Sequence, residues 1–345
     1  MMPLTMFLAI RLVADGAGVH SRQPQLAVGE GLVAVTFGSG NAIYFAASTD
    51  HGRSFSQPAK VAEVGSLSLG HRRGPRIAIT PGAIVISAVT GQLGGGRDGN
   101  VVAWRSTDRG KLWSPGVVVN DVSASAREGL HAMASGGKGL LFATWLDLRH
   151  RQTELYGARS TDGGATWSKN ILIYQSPDGH ICECCHPSVL VDAQGSVYAM
   201  WRNWTEGARD MYLARSTDGG AKFLKAEKLG EGTWPLQACP MDGGGIAVDS
   251  QGHLVSLWRR ASHLYLARPG QQETLLGTGK DGSVAWGPEG FYIAWSSGAG
   301  LRYLLPGKPL PVLLAEEGAS VHLAGSGPVF AAWESKGAII IQTLP

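Results

Sequence analysis

Three of the four cysteines in this chain crowd into one pentapeptide, Cys182-Glu183-Cys184-Cys185-His186, and the fourth, Cys239, precedes Met241 and Asp242 in Ala-Cys-Pro-Met-Asp-Gly. Thiolate, thioether and imidazole together are the donor set of a soft site for Cu(I) or Zn(II). The candidate ligands are Cys184, Cys185, His186, Cys239, His131 and Met241. The same thiols allow a disulfide, from Cys182 or Cys184 to Cys239 or between the vicinal pair, and oxidation is their expected fate in an exported protein. A reactive free thiol is the third outcome. All three stay open at this stage, as does one disulfide beside a free Cys/His pair.

Charged groups recur at comparable stations elsewhere. Seven short segments precede an inward-facing apolar residue: His20–Leu26, His71–Ile77, Ala126–Ala132, Glu183–Val189, Pro240–Ile246, Gly279–Val284 and Glu316–Val321. Aligned on that residue, five of them carry Arg22, Arg73, Glu128, Cys185 and Asp242 at one position. Charged and soft groups converging on an axis are the expected form of a ligand site, and Arg22, Arg73, Glu128 and Asp242 are its candidate catalytic groups. Lead-in residues that only hydrogen-bond adjacent elements are the plainer reading. His20 and His71 occupy matching places, with His131 and His186 close to theirs, an arrangement similar to the axial histidine rings of seven-bladed copper oxidoreductases.

Such a ring requires a repeated scaffold, and the chain has one. Ser48–Phe55, Ser106–Trp113, Ser160–Trp167 and Ser216–Phe223 read STDHGRSF, STDRGKLW, STDGGATW and STDGGAKF, with starts 58, 54 and 56 residues apart. Self-similarity at this period marks a repeat architecture. In each copy the Asp suits amides just ahead in a turn, the second Gly position suits positive φ, and the final aromatic suits an apolar plug. A second marker runs further: Phe37, Val89, Trp145, Trp201, Trp258, Trp295 and Trp333 each end a short apolar strand, at spacings of 52, 56, 56, 57, 37 and 38. Short alternating strands at this repeat read as propeller blades.

The expectation is a single all-β domain over residues 1–345, a seven-bladed β-propeller, with six blades as the alternative. The octapeptide blades cover 18–229 and shorter blades cover 240–345. The last unit lacks an outer strand, and the N-terminal segment 4–13 supplies it, closing the ring and removing a raw sheet edge.

The octapeptide resembles the Asp-box, or BNR repeat, of the sialidase-type β-propellers. The resemblance covers roughly Gly18–Leu229. It implies an exo-acting glycosidase in which an Arg clamps a substrate carboxylate, and Ser21-Arg22-Gln23-Pro24 is similar to the family's Arg-Ile-Pro segment. Arg73 and Arg76 would add charge to that clamp. The rest of the catalytic set departs from the pattern. The turn Gly38–Asn41 carries no carboxylate where the family's acid/base Asp lies, and Glu128 or Glu154 with Tyr156 stands away from the station of the Tyr–Glu nucleophile pair. Glycoside hydrolysis needs two placed groups.

Composition narrows the choice. Charged residues are 17%, Gly numbers 49 and the formal net charge is +3, with no long Lys/Arg run, so nucleic acid has no electrostatic footing. No apolar stretch approaches the roughly 18–20 residues of a membrane span, and no nucleotide or organic cofactor motif is present. The N-terminal stretch shows an apolar run without a basic start or a clear cleavage site, and a periplasmic or secreted location is the expectation. The leading expectation is a sialidase-like propeller whose axial mouth binds copper, zinc or a small anionic ligand, with redox activity following if copper is bound. An exo-glycosidase of sialidase type and a protein-interaction platform are the alternatives.

Overall fold

The computed structural model describes residues 9–15, 19–325 and 327–345, apart from the side chain of Glu128. Seven antiparallel sheets stand in a ring, and each innermost strand touches the next all the way round. The first four blades begin with Ser21–Gly29, Arg76–Thr80, Ala126–Ser135 and Ser188–Val191, and the last three with Gly244–Val248, Lys280–Gly287 and Ala319–Gly325. The second blade adds Ser66–Leu67, which pairs with the end of its second strand, Ala83–Gly91. Among the described residues the only helical turn is Gly137–Gly139. The seventh blade is closed by Ile10–Leu12 pairing antiparallel with Ala338–Thr343. That strand lies within the expected 4–13 segment, whose residues 4–8 fall outside the described ones.

Seven blades follow from the aromatic anchors. Phe37, Trp145, Trp201, Trp258, Trp295 and Trp333 all lie on second strands, are buried, and pack toward the preceding blade. In the second blade the register differs by one. Ser106 pairs with Ile84 as Ser48 pairs with Val33, so Ala88 rather than Val89 stands at the station of Phe37. Ala88 is small, and Trp104 of the adjoining strand is buried in the same cluster.

The octapeptides join third to fourth strands, at the end of each blade opposite the lead-in segments. Their geometry follows from their chemistry. Ser106 donates to Asp108 Oδ1 at 2.8 Å and accepts from the Gly110 amide at 2.8 Å, while the Leu112 amide donates to Asp108 at 2.9 Å. The other three copies repeat the Ser–Asp and Gly–Ser bonds. The closing aromatics plug the seam with the preceding blade: Trp113 meets Phe45 edge-on at 5.3 Å and Phe223 meets Phe142 at 5.7 Å. The hairpin is thus a blade-to-blade joint. Arg105 and Arg159, each one residue before the octapeptide serine, donate to Gly163 and Asp218 carbonyls of the next hairpin, at 2.8 and 3.3 Å.

Arg215 and Arg268 hold the same station in the fourth and fifth blades, as the strand registers show. The fifth and sixth blades have short turns in place of the hairpin. Their absence leaves a cavity of about 1110 Å³ lined by Tyr198, Arg215, Arg268 and Phe291, among others.

Two outcomes test this joint. Gly220 has φ +83°, and a Cβ there would collide with the Phe142 ring, whereas Gly195 has φ +85° and open space. Gly195→Ala is expected to cost about 1 kcal/mol of backbone strain, and Gly220→Ala about 2–4 kcal/mol once overpacking is added, both read by urea unfolding. Equal costs would mean that the hairpin does not bear on the neighbouring blade. The acid side is the second test. Ser54, the Leu112 amide and Ser216 lead in holding Asp50, Asp108 and Asp218 below the ordinary carboxylate value of 3.8. A depressed folded value contributes stability above the unfolded value and loses it as pH falls through the folded one. Asp108→Asn is therefore expected to flatten the fall in stability as the pH drops below about 4.

Candidate functional site

The innermost strands begin with a kink. Register shifts fall between Arg22 and Gln25, Ala126 and His131, Lys280 and Ser283, and Ala319 and His322. Gln23, Asp281 and Ser320 take the same station in their bulges, with φ of 58°, 56° and 57°, and Arg72 and Met241 also have positive φ. Bulges re-aim side chains beside functional sites. They also shift the alignment read from the sequence, which now matches Met133 rather than Ala132, and Leu323 rather than Val321, to Leu26. Beyond the bulges, Gln25, Arg76, Ser188, Ser283 and His322 share one level around the axis, with small residues at the remaining two stations.

The candidate catalytic residues do not converge. Arg22 is 46% exposed and sits 3.5 Å from Glu334, between the first and seventh blades. Glu334 also accepts from the Gln23 amide at 2.9 Å. Arg73 is half-buried beside Gly129 of the third blade and is not without a partner. The side chain of Glu128 lies outside the described ones. Asp242 is buried on the other side of the mouth, 2.8 Å from Arg259, and accepts from the Asp281 amide at 3.3 Å. Burial, and then the Asp281 charge, raise it above the ordinary carboxylate range.

The sulfurs do converge. Cys182, Cys184 and Cys185 are buried with their Sγ atoms all within 4.8 Å of one another, Cys182 lying 3.2 Å from Cys185 and 3.7 Å from Cys184. Met241, held at the lead-in of the fifth blade, packs against them. All four cysteines are free thiols, so neither the cross-blade nor the vicinal disulfide is formed. Cys239 is exposed and outside the group, because the linker that carries it runs over the surface. Cys182, expected only as a disulfide partner, is instead the centre of the cluster.

Two histidines of the expected ligand set are also committed elsewhere. His131 is buried against Ser87 Oγ at 3.1 Å, in the second and third blades. His186 accepts the Gly243 amide on Nδ1 at 3.2 Å, which fixes its proton on Nε2.

Arginines surround the thiols. Arg209 donates to Cys182 Sγ at 3.1 Å and to the Leu236 carbonyl at 3.1 Å. Arg202, 1% exposed, donates only to carbonyls, those of Asp242, Arg209 and Arg259, at 3.2, 2.8 and 2.9 Å. Hydrogen bonding with Cys184 and Cys185, then the Arg209 and Arg202 charges, push the Cys182 thiol down. Donation to Cys182 pushes Cys184 up, and burial pushes Cys185 up to about 12. The pentapeptide announces the sulfurs, but nothing local announces Arg202, which ends the second strand of the fourth blade, or Arg209, which lies in the loop after it.

A BNR repeat-like domain model matches residues 42–235, over half of the chain. This chain belongs to the BNR repeat-like family. Its kinship is with the sialidase-like propellers, as the Asp-boxes imply. A xyloglucanase of Paenibacillus sp. is 30% identical over 227 residues, covering 59% of this chain and 20% of that one, so the chain spans about a fifth of that relative's length. Solved structures of similar fold include an ulvan lyase (TM-score 0.62, 12% identity, 98% of this chain and 96% of that one). An α-L-arabinofuranosidase of Fusarium graminearum is another (TM-score 0.59, 12% identity, 98% and 97%).

Thiol counting tests the described arrangement. In the reduced, metal-free protein, Cys239 is expected to react at once with a chromogenic disulfide reagent and the other three only on unfolding. Cys239→Ser is expected to abolish the fast phase. More than one fast thiol would place the cluster at the surface.

Proposed function

We propose that the mouth of this propeller binds one soft metal ion, Cu(I) ahead of Zn(II), through the sulfurs of Cys182, Cys184 and Cys185 with the Met241 thioether beside them. The observation that carries the reading is the gathering of three buried sulfurs next to Arg202 and Arg209. Neither guanidinium has a carboxylate partner among the described residues; Arg209 is half-buried, but Arg202 is buried, and a buried cation without a counter-charge is costly. Three thiolates around Cu(I) carry a net charge of −2, which the two guanidiniums offset. Around Zn(II) the net is −1. Sulfur-only donor sets with a thioether favour Cu(I), whereas zinc prefers a nitrogen, oxygen or thiolate in the fourth place. His186 does not supply it through Nδ1, which already accepts the Gly243 amide.

Bound copper would supply one-electron chemistry. The chain's own part is to hold the sulfurs buried and to favour the thiolate of Cys182 with the Arg209 guanidinium beside it. The backbone of Cys182 is fixed by its amide donating to the Arg202 carbonyl at 3.0 Å, so the loop and the charged residue that faces it move together.

A second reading, exo-acting hydrolysis of a polysaccharide, is favoured by the xyloglucanase relative. The mouth offers it little: Glu334, Asp281, Asp242 and Glu183 each lie within ion-pair distance of an arginine. A general acid and its partner need to be free to exchange protons with substrate.

Competition against a chromophoric Cu(I) chelator under anaerobic, reducing conditions tests the proposal. Wild-type protein is expected to withhold one equivalent. Cys182→Ser and Cys185→Ser are expected to weaken binding by on the order of a hundredfold and Met241→Leu by about tenfold, with Arg22→Ala unchanged. No withheld copper, or binding indifferent to Cys182→Ser, would remove the reading. Turnover of fluorogenic sialosides or xyloglucan oligosaccharides that is lost on Arg22→Ala or Asp242→Asn would put the second in its place.

A further inference from the structure

The axis itself is lined differently from the sulfur cluster. A cavity of about 140 Å³ is walled by all seven blades, including Gln25, Arg72, Arg76, His186, Ser283 and His322, and no carboxylate lines it among the described residues. Arg72 is buried and reaches from the second blade to the far side of the ring. It donates to the Val321 carbonyl at 2.9 Å and to the Asp281 carbonyl. Its Nε is buried without a hydrogen-bond partner, and Asp281 Oδ1 stands 3.7 Å away. Arg76 is buried too. It donates to the carbonyls of His131, Gly74 and Pro75, each at 3.1 Å, and to that of Arg72, and among the described residues it meets no carboxylate. Among the described residues, two buried guanidiniums therefore face one cavity with a single, loosely placed counter-charge.

The histidines add donors rather than acceptors. His322 accepts the Leu26 amide on Nδ1 at 3.2 Å, as His186 accepts that of Gly243. In the neutral ring the proton then sits on Nε2. Both rings line the cavity, and in this tautomer Nε2–H donates and offers no lone pair to a cation.

We infer that the axial cavity is a binding site for a small inorganic anion, of halide or oxyanion type, held by Arg72 and Arg76 with His186 and His322 as neutral donors. Carbonyl oxygens solvate a guanidinium but carry no charge, so the electrostatic deficit at Arg76 remains after its hydrogen bonds are counted. The same deficit is felt by its neighbours. Burial, then the Arg72 charge, brings Arg76 down to about 9, and burial with both arginines brings His322 to about 3. The cavity size fits one small ion with little water and is too small for a sugar.

Thermal unfolding at constant ionic strength, with gluconate replaced stepwise by phosphate or by chloride, tests the site. The melting temperature is expected to rise with the logarithm of anion concentration, as ligand binding to the native state requires. The anion giving the larger rise is the better ligand. Arg76→Gln is expected to remove the response. Should that variant fail to fold, crystals of the wild-type protein soaked in iodide provide the second measurement, with an anomalous peak expected in the axial cavity beside Arg72 or Arg76. Cys182→Ser is expected to keep the full response, which separates this site from the proposed metal site. A flat response to both anions, no halide in the cavity, or a response lost with Cys182→Ser would each overturn the inference.

Discussion

A propeller blade is a twisted sheet with two faces, and each face is covered only if the neighbouring blade covers it. That mutual covering is the constraint on which the rest of this molecule depends. It explains the fully sealed indoles of Trp145 and Trp201 at 0% exposure, each wedged into the seam with the preceding blade. It also explains why polar joints appear at both ends of the seams. At one end, octapeptide hairpins tuck their glycines against the preceding blade. At the other, arginines stitch lead-in segments together by donating to carbonyls of neighbouring strands. Arg202 alone meets three such carbonyls. A guanidinium suits this task because it offers five donors in a rigid plane.

Stitching with arginine leaves a residue of charge. Carbonyls satisfy hydrogen bonds without neutralising the cation, so a mouth closed by Arg72, Arg76 and Arg202 is electropositive inside. Such a field stabilises whatever negative group can be placed in it, and this chain places three thiols beside Arg202 and Arg209. It also keeps nearby imidazoles neutral, which suits them to donate hydrogen bonds. The sulfur cluster and the axial cavity are thus two responses to one electrostatic cause, which is why neither needs the carboxylates of a glycosidase. Glu334, Asp281, Asp242 and Glu183 pair with arginines instead, and Glu154 with His150.

Much of the fold was legible because its signals are local. The octapeptide carries its own hydrogen-bond logic within eight residues, and the second-strand aromatics recur wherever a seam must be filled. The exception at Val89 is instructive: the seam there is filled by Trp104 from the adjoining strand, so the marker residue at Ala88 could shrink. The site was legible only in part. Cys184 and Cys185 stand out by composition, but their partners depend on how bulged lead-ins aim side chains, and a bulge adds a residue that no alignment on apolar positions can see. The bulge between Ala319 and His322 puts Leu323, not Val321, level with Leu26, while Cys239 is kept from the other sulfurs by lying in a surface linker. Arg72, Arg76, Arg202 and Arg209 carry the electrostatics through contacts with distant strands, such as that of Arg72 with Val321, and nothing in their sequence neighbourhood foretells this.

The two ends of the ring are under different demands. The hairpin end enforces blade-to-blade contact, and its requirements persist as a receptor even where hairpins are missing: Arg215 and Arg268 keep the station from which Arg105 and Arg159 grip the next hairpin, although the fifth and sixth blades present only short turns. There Arg215 lies over the Tyr198 ring and Arg268 over that of Phe291 instead of gripping a hairpin. The lead-in end has no such uniformity. Its segments differ in length, bulge position and charge from blade to blade, so the groups facing the axis vary while the seams stay intact. The octapeptides therefore constrain architecture at one end of the strands, and the chemistry is decided roughly one strand length away, by side chains on which they impose nothing.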